Sequence, residues 1–405
     1  MLPARQPIPP LKPTVLVLDG GERAALAVVR SLGRAGYATH VGASSPHSLA
    51  GASRFSLSQT QLPDPLTDRT AYVAAVAGLV ARVKATILLP VAEPSALAIL
   101  EQRAALGSTL IPLPDIARFR RICDKIEVLR TAEAVGISTP ARRTVNDHAE
   151  LAAALDQTRF PVVLKPARSV SDAGATRSKL GVSYALTRTD LERALDRLGA
   201  ESFPLMLQEK IEGAGVGIFL LRWQGQTRAA FAHRRIREKP PSGGVSVYRE
   251  SIPLPESLLA QSEELLARFD WEGVAMVEYK IDPRSGTPFL MEINGRFWGS
   301  LQLAIDAGVD FPRLLLACAL GKCEPEVRQY RPHVRSRWWW GDFDHLLARA
   351  LHSSKALALP PGAPSRLRAL AEFLILWRPG DRNEILRLSD PKPFFRETVE
   401  WFRAL

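Results

Sequence analysis

The chain has 405 residues, enough for two or three domains. With 46% hydrophobic and 23% charged residues it is ordinary globular material, which excludes a disordered chain, a collagen-like repeat and a disulfide miniprotein. The net charge of +11 rests on 42 Arg and 11 Lys against 42 acidic residues, but no run of five or six like charges marks a nucleic-acid tail. The densest basic stretch, 233–239 (HRRIREK), is local, so nucleic acid is not an expected partner. Cys123, Cys318 and Cys323 are too few for a disulfide framework and lack partners for a zinc site. The proline-rich N-terminus has no apolar signal core, and charges break every long apolar stretch. The expected compartment is the cytoplasm, with no transmembrane segment.

Residues 1–13 read as a flexible tail. The run 14–18 (TVLVL) predicts a strand, closed by Asp19-Gly20-Gly21, and a helix follows over 23–35. A strand over 37–43, a helix over 68–84, a strand over 86–90, a helix over 94–104 and a strand over 109–112 continue an α/β layer. The turn 19–24 lacks the glycine spacing of a dinucleotide fingerprint, which weakens a redox reading. One helix is expected over 115–135. Then come an extended connector at 137–143, a strand over 160–164, a small-residue loop at 167–181 and a strand over 205–211. Strands at 218–223, 228–235 and 245–252 follow, then a helix over 256–269. Strands at 273–281 and 288–294 and helices at 298–307 and 310–320 suggest α+β architecture. The remainder, 325–405, reads as mostly helical, with Trp338-Trp339-Trp340 and the apolar stretch 367–377.

The chemistry gathers late in the chain. In FLMEINGRFWG, strand alternation puts Glu292 and Asn294 on one face and Ile293 on the other. Glu278 lies on the strand before, one short turn away. Three such oxygen donors suit a hard cation such as Mg²⁺; the alternative is a solvent-facing strand edge. Arg296 could hold a phosphate or acyl phosphate, or form a rim salt bridge. Lys165, at a strand end before a small-residue loop, could meet phosphates or snorkel to solvent. Lys125 carries a weaker signal on its helix. Gln208-Glu209-Lys210-Ile211 could read an adenine from the backbone, or be an ordinary edge strand.

In this order, Asp124-Lys125, VVLKPAR, QEKIEG, VEYKID and MEINGR resemble the ATP-grasp superfamily. The style is that of the carbamoyl-phosphate-synthase and biotin-carboxylase branch of carboxylate-activating ligases. The resemblance covers roughly 14–320. It implies an α/β plus α+β fold in four parts: the tail, a Rossmann-like pre-ATP-grasp domain at 14–112, an ATP-grasp domain of two α+β subdomains at 113–324, and a helical extension at 325–405 that matches nothing in the family.

The resemblance further implies that Lys125 and Lys165 contact ATP phosphates under loop 167–181. Gln208, Glu209, Lys210 and Ile211 would form the adenine hinge, with Glu212 nearest to a ribose ligand. Glu278, Glu292 and Asn294 would hold one or two Mg²⁺, with Mn²⁺ as a substitute. Arg296 would stabilise the transferred phosphoryl group, with Arg235 and Lys239 as a further clamp. Glu93, Ser242, Gly243 and Gly244 are candidates for substrate contact, the last three on a lid-like loop.

The implied reaction is ADP-forming ligation: a carboxylate becomes an acyl phosphate, and an amine displaces phosphate. A regulatory ATP-binding scaffold and bicarbonate (carboxyphosphate) chemistry are the alternatives. Expected partners are the small-molecule carboxylate and amine, with a homo-oligomer or a C-terminal partner as open options. The C-terminal aromatic residues read either as a docking surface or as a helical lid packed on the core; helical spacing favours the lid.

Overall fold

The computed structural model describes residues 13–171, 176–357, 359, 363–375 and 378–404. All but the last residue of the expected tail lies outside that range.

The N-terminal layer is a parallel sheet of β1 (Thr14–Val17), β2 (Ala38–Ala43), β3 (Ser56–Gln61) and β4 (Ile87–Leu89), in the order β3-β2-β1-β4. Alternation along β1 sorts its two faces. Val15 and Val17 pack with the helix Arg23–Arg34, while Leu16 and Leu18 pack with the helices Arg69–Val83 and Glu93–Glu101. β3 escapes a hydrophobicity reading because SLSQTQ is an exposed edge strand. The strand expected over 109–112 is a single bridge, Leu110 to Ile87.

A second sheet of β5 (Arg142–Val145), β6 (Val162–Pro166), β7 (Ser183–Ala185) and β8 (Leu205–Glu209) is antiparallel in the order β5-β8-β6-β7. It has its own small core around Val145, Leu151, Leu164 and Leu191. The helix expected over 115–135 is two, Ile116–Cys123 and Lys125–Ala134. Asp124 between them leaves helical geometry and accepts from the Ile126 and Glu127 amides as N-cap.

The third sheet holds β9 (Gly215–Trp223), β10 (Gln226–Lys239), β11 (Val245–Ser251), β12 (Gly273–Ile281), β13 (Pro288–Asn294), β14 (Arg335–Arg337) and β15 (Asp381–Asn383). Its order is β13-β12-β9-β10-β11-β14-β15. The last two strands correct the picture of a purely helical extension. β14 pairs antiparallel with β11, and β15 lies parallel to β14, so the C-terminal segment finishes the edge of this sheet. Short, arginine-rich RSR and DRN carry no apolar alternation that would announce them.

Around these strands lie the helices Trp339–Leu351, Arg366–Leu374 and Lys392–Arg403. Trp340 stacks on Trp401 at 4.3 Å between ring centroids, and Trp339 packs on Phe373. Leu367, Leu374 and Phe402 stay exposed on the outer face. Trp377, part of the aromatic stretch, lies outside the described residues. Among the described residues, no helix is long and apolar enough to cross a membrane.

Candidate active site

A cleft of ≈ 550 Å³ opens between the second and third sheets. Its floor is the β12–β13 hairpin. Ile293 faces the core, so alternation turns Glu292 and Asn294 the other way, into the cleft. Glu278 on β12 is the direct cross-strand partner of Glu292. From the opposite wall Lys165, at the end of β6, brings Nζ to 3.2 Å from Glu292 Oε2 and donates to the Met291 carbonyl at 2.9 Å. Asn294 donates to Glu292 at 3.1 Å, and Arg296 donates to the Asn294 amide oxygen at 3.2 Å.

Two carboxylates directly opposed across a ladder repel unless cations lie between or beside them. Burial pushes Glu278 up, against the pull of Arg235, which is ion-paired to it. Burial also pushes Glu292 up, but Lys165 and Lys125 outweigh it and hold that carboxyl well below the usual range. The donor set is two carboxylates and an amide oxygen, which fits a hard divalent ion. No group of three or more His, Cys, Asp or Glu side chains that could hold a metal occurs among the described residues.

The fold has known counterparts. An L-amino acid ligase from Bacillus licheniformis superposes with a TM-score of 0.62 at 18% identity, over 79% of this chain and 78% of that one. The biotin carboxylase domain of the Hydrogenobacter thermophilus 2-oxoglutarate carboxylase, crystallised with MgADP and bicarbonate, gives 0.61 at 14% identity, over 80% and 73%. Residues 201–340 match the family model described as ATP-grasp in the biosynthetic pathway with Ter operon. The chain has the fold of these ligases and carboxylases, and its residues 201–340 match an ATP-grasp family model.

Among its curated relatives, the D-alanine–D-alanine ligase of Acidovorax ebreus is 30% identical over 214 residues, 48% of this chain and 61% of the relative. That of Albidiferax ferrireducens is 28% identical over 216 residues, 48% and 58%. The chain spans less than two thirds of the length of the curated relatives it matches, 26% in the case of the Marinomonas enzyme.

Within the cleft, Gln208, Glu209, Lys210 and Ile211 lie where β8 leaves its sheet, and Val163, Met276 and Met291 also line it. The Gln208 side chain is buried, and its Nε2 has no partner among the described residues. Lys280 donates to the Ile211 carbonyl at 3.2 Å. Glu212 is not among the lining residues and lies 3.8 Å from Lys210. Lys125 also lies outside the lining. It donates to Ser169 Oγ at 2.7 Å, and it is close enough to Glu292 and Lys165 to act on both electrostatically. Glu93, at the first turn of its helix, is pushed up by burial, while Arg296 and Lys125 pull it back.

Arg235 lines the cleft but gives its fork to Glu278 and Glu238, and a further donor to the Gly244 carbonyl at 3.0 Å. Lys239 lines it too, ion-paired with Asp344 of the helix Trp339–Leu351. Gly243 and Gly244 reach the cleft, whereas Ser242 faces a neighbouring groove beside Ala356. Loop 167–181 is described except for 172–175. Its far end is pinned to the N-terminal domain, with the Arg177 amide donating to Leu66 O at 2.7 Å and Nη2 2.6 Å from Glu101.

Arg23 and His233 are among the cleft residues that the sequence does not mark. Arg23 comes from the first turn after β1, and the end of a parallel strand is where open α/β sheets place ligands. That positional rule could have found it. His233 is a buried polar residue in an otherwise apolar stretch of β10.

Proposed function

We propose that the protein is an ADP-forming ligase that activates a substrate carboxylate as an acyl phosphate for attack by an amine. The observation that supports this best is the meeting of Lys165, Glu278, Glu292, Asn294 and Arg296 in one cleft, drawn from β6, β12, β13 and the turn after β13. ATP would lie with its adenine against Val163, Met276 and Met291, near the unpartnered Gln208 amide. Lys165 and Lys125 would neutralise its phosphates. Glu278, Glu292 and Asn294 would hold one or two Mg²⁺, replaceable by Mn²⁺, whose charge shields the phosphoryl oxygens. Arg296, beside Asn294, offers a planar fork for the transferred group. The chain itself thus mostly positions groups and balances charge, which is what phosphoryl transfer asks of a protein.

We place the substrates among small carboxylates and amines, as the relatives' names suggest, and the enzyme in the cytoplasm, consistent with three free cysteines. A homo-oligomer remains part of the proposal; the exposed outer face of the C-terminal helices is where it would form. A scaffold that binds ATP without turnover is the second reading, favoured by Arg235 spending its fork on Glu278.

Mg²⁺-dependent ADP and phosphate release against pooled carboxylates and amines tests the choice. We expect release with a particular pool, reduced by about 100-fold or more in Glu292→Ala with the fold retained. ATP binding without release in any pool supports the scaffold. Unchanged release in Glu292→Ala overturns the metal assignment.

A further inference from the structure

The helix Phe311–Ala319 packs across β9, β10 and β12, and the Phe311 ring lies 5.0 Å from that of Trp298, a cleft-lining residue. Its last turn carries Cys318, 4% exposed. The helix then stops in a tight reversal. The Gly321 amide donates to the Cys318 carbonyl at 3.0 Å, and the Lys322 amide to the Ala317 carbonyl at 2.8 Å. Gly321 takes φ +71, the left-handed state that such a stop requires. The reversal folds the chain back, so that Cys323, only partly buried, packs on the same core as Cys318.

Cys323 is held there from its other side too. Arg313 donates to both carboxylate oxygens of Glu324, at 2.9 and 3.1 Å, which ties the segment to the first turn of the helix. The Val327 amide donates to the Arg228 carbonyl, and the Ala230 amide to the Val327 carbonyl, each at 3.0 Å, which fastens it to β10. These ties bring the two thiols within hydrogen-bonding reach of each other. Cys123 packs in a different core cluster.

Burial, and then the hydrogen bond with Cys323, push the Cys318 thiol up to about 12. Cys318 therefore keeps its proton near neutral pH and presents it to the Cys323 sulfur. Arg228, close enough to pull the Cys318 thiol back down, adds a positive charge beside the pair. The thiol within reach of solvent is Cys323, and the one behind it is Cys318. An accessible thiol backed by a second one is the arrangement in which oxidation of the first is resolved by the second.

We propose that Cys318 and Cys323 form a reversible oxidation site, whose co-reactant is a hydroperoxide and whose product is an intrachain disulfide. With hydrogen peroxide, the Cys323 sulfur attacks one oxygen and the O–O bond breaks. The thiol proton goes to the departing hydroxide, which leaves a sulfenic acid and one water. The Cys318 sulfur then attacks the Cys323 sulfur: the S–S bond forms, the S–O bond breaks, and the hydroxide leaves with the Cys318 proton as a second water. Two thiols lose two electrons in all, and one peroxide gains them. The chemistry needs neither nucleotide nor metal, so it stands apart from the ligase reading. The disulfide would close the turn at the far end of the helix whose Phe311 touches the cleft residue Trp298.

The test treats the reduced full chain with hydrogen peroxide, stops the reaction with catalase, then unfolds and alkylates the chain for mass spectrometry. The oxidised chain should lose the mass of two hydrogens and take up an alkyl group at Cys123 alone. Trypsin cuts after Lys322, so the disulfide should appear as peptides 314–322 and 323–328 joined, and dithiothreitol should separate them. In Cys318→Ser the sulfenic acid should persist at Cys323 and be captured by dimedone. In Cys323→Ser the oxidation of Cys318 should slow about 10-fold or more. The joined peptides of the unmodified sequence decide the matter even where either variant folds poorly. Three alkylated thiols after peroxide, over-oxidation of Cys323 with no joined peptides, or a disulfide to Cys123 or to a second chain instead would each overturn the site.

Discussion

Trp338 donates its indole N–H to Glu397 at 2.6 Å, yet the other oxygen of that carboxyl is buried without a partner among the described residues. Burial is the main cause that pushes Glu397 up to about 7, from an ordinary 4.5. The native state therefore binds a proton more tightly than the unfolded chain, and the preference is fully felt below the unfolded value. Stability then falls as pH rises from about 4.5 through about 7. Glu397→Gln keeps an acceptor for Trp338 and removes the titration. Its melting temperature should match the parent near pH 4 and exceed it at pH 8, by at most ~3 kcal/mol in stability. Parallel melting curves at both pH values would show that the carboxyl is solvated.

The loop between β10 and β11 reaches from one wall of the cleft towards the other. Gly243 has φ +128, a backbone state that side chains rarely adopt, and an added Cβ would stand 2.9 Å from the Tyr184 hydroxyl on β7 of the facing sheet. Gly243→Pro demands φ near −65° and should deform this contact between the two cleft walls. We expect turnover to fall more than MgATP affinity; equal losses would argue against a closing loop. At the Asp124 break the same logic runs through a cap. Asp124→Ala should cost ~1 kcal/mol in thermal stability and loosen Lys125, the next residue, measured as weaker ATP binding.

Across the whole molecule, the C-terminal extension is tied to the opposite end of the chain. Asp390 accepts from Arg30 Nε at 2.8 Å, Ser53 Oγ at 2.7 Å and the Arg54 amide at 2.9 Å, all from the N-terminal domain. Arg30 and Asp390 are each about 1% exposed. Removing one partner strands a buried charge, so Asp390→Ala should cost ~3–5 kcal/mol, read by chemical denaturation. Arg237 and Arg337 likewise share Asp342 of the helix Trp339–Leu351. The extension is thus welded to both other domains, and an independent melting transition for 325–405 would contradict that.

Apolar period and motif order were enough to read β1, β2 and β4, the β12–β13 hairpin and its turned-in Glu292 and Asn294. These are local: alternation decides which face a side chain takes before any partner is known. β3, β14 and β15 were hidden because edge strands of polar or charged residues are held by neighbours, not by their own pattern. The split at Asp124 was hidden because its cap competes with a helical pattern that runs through it. Arg23 and Glu384 stand 361 residues apart, and no spacing rule reaches that far. Their meeting at the cleft belongs to tertiary structure, because only packing chooses which distant ions share one desolvated wall.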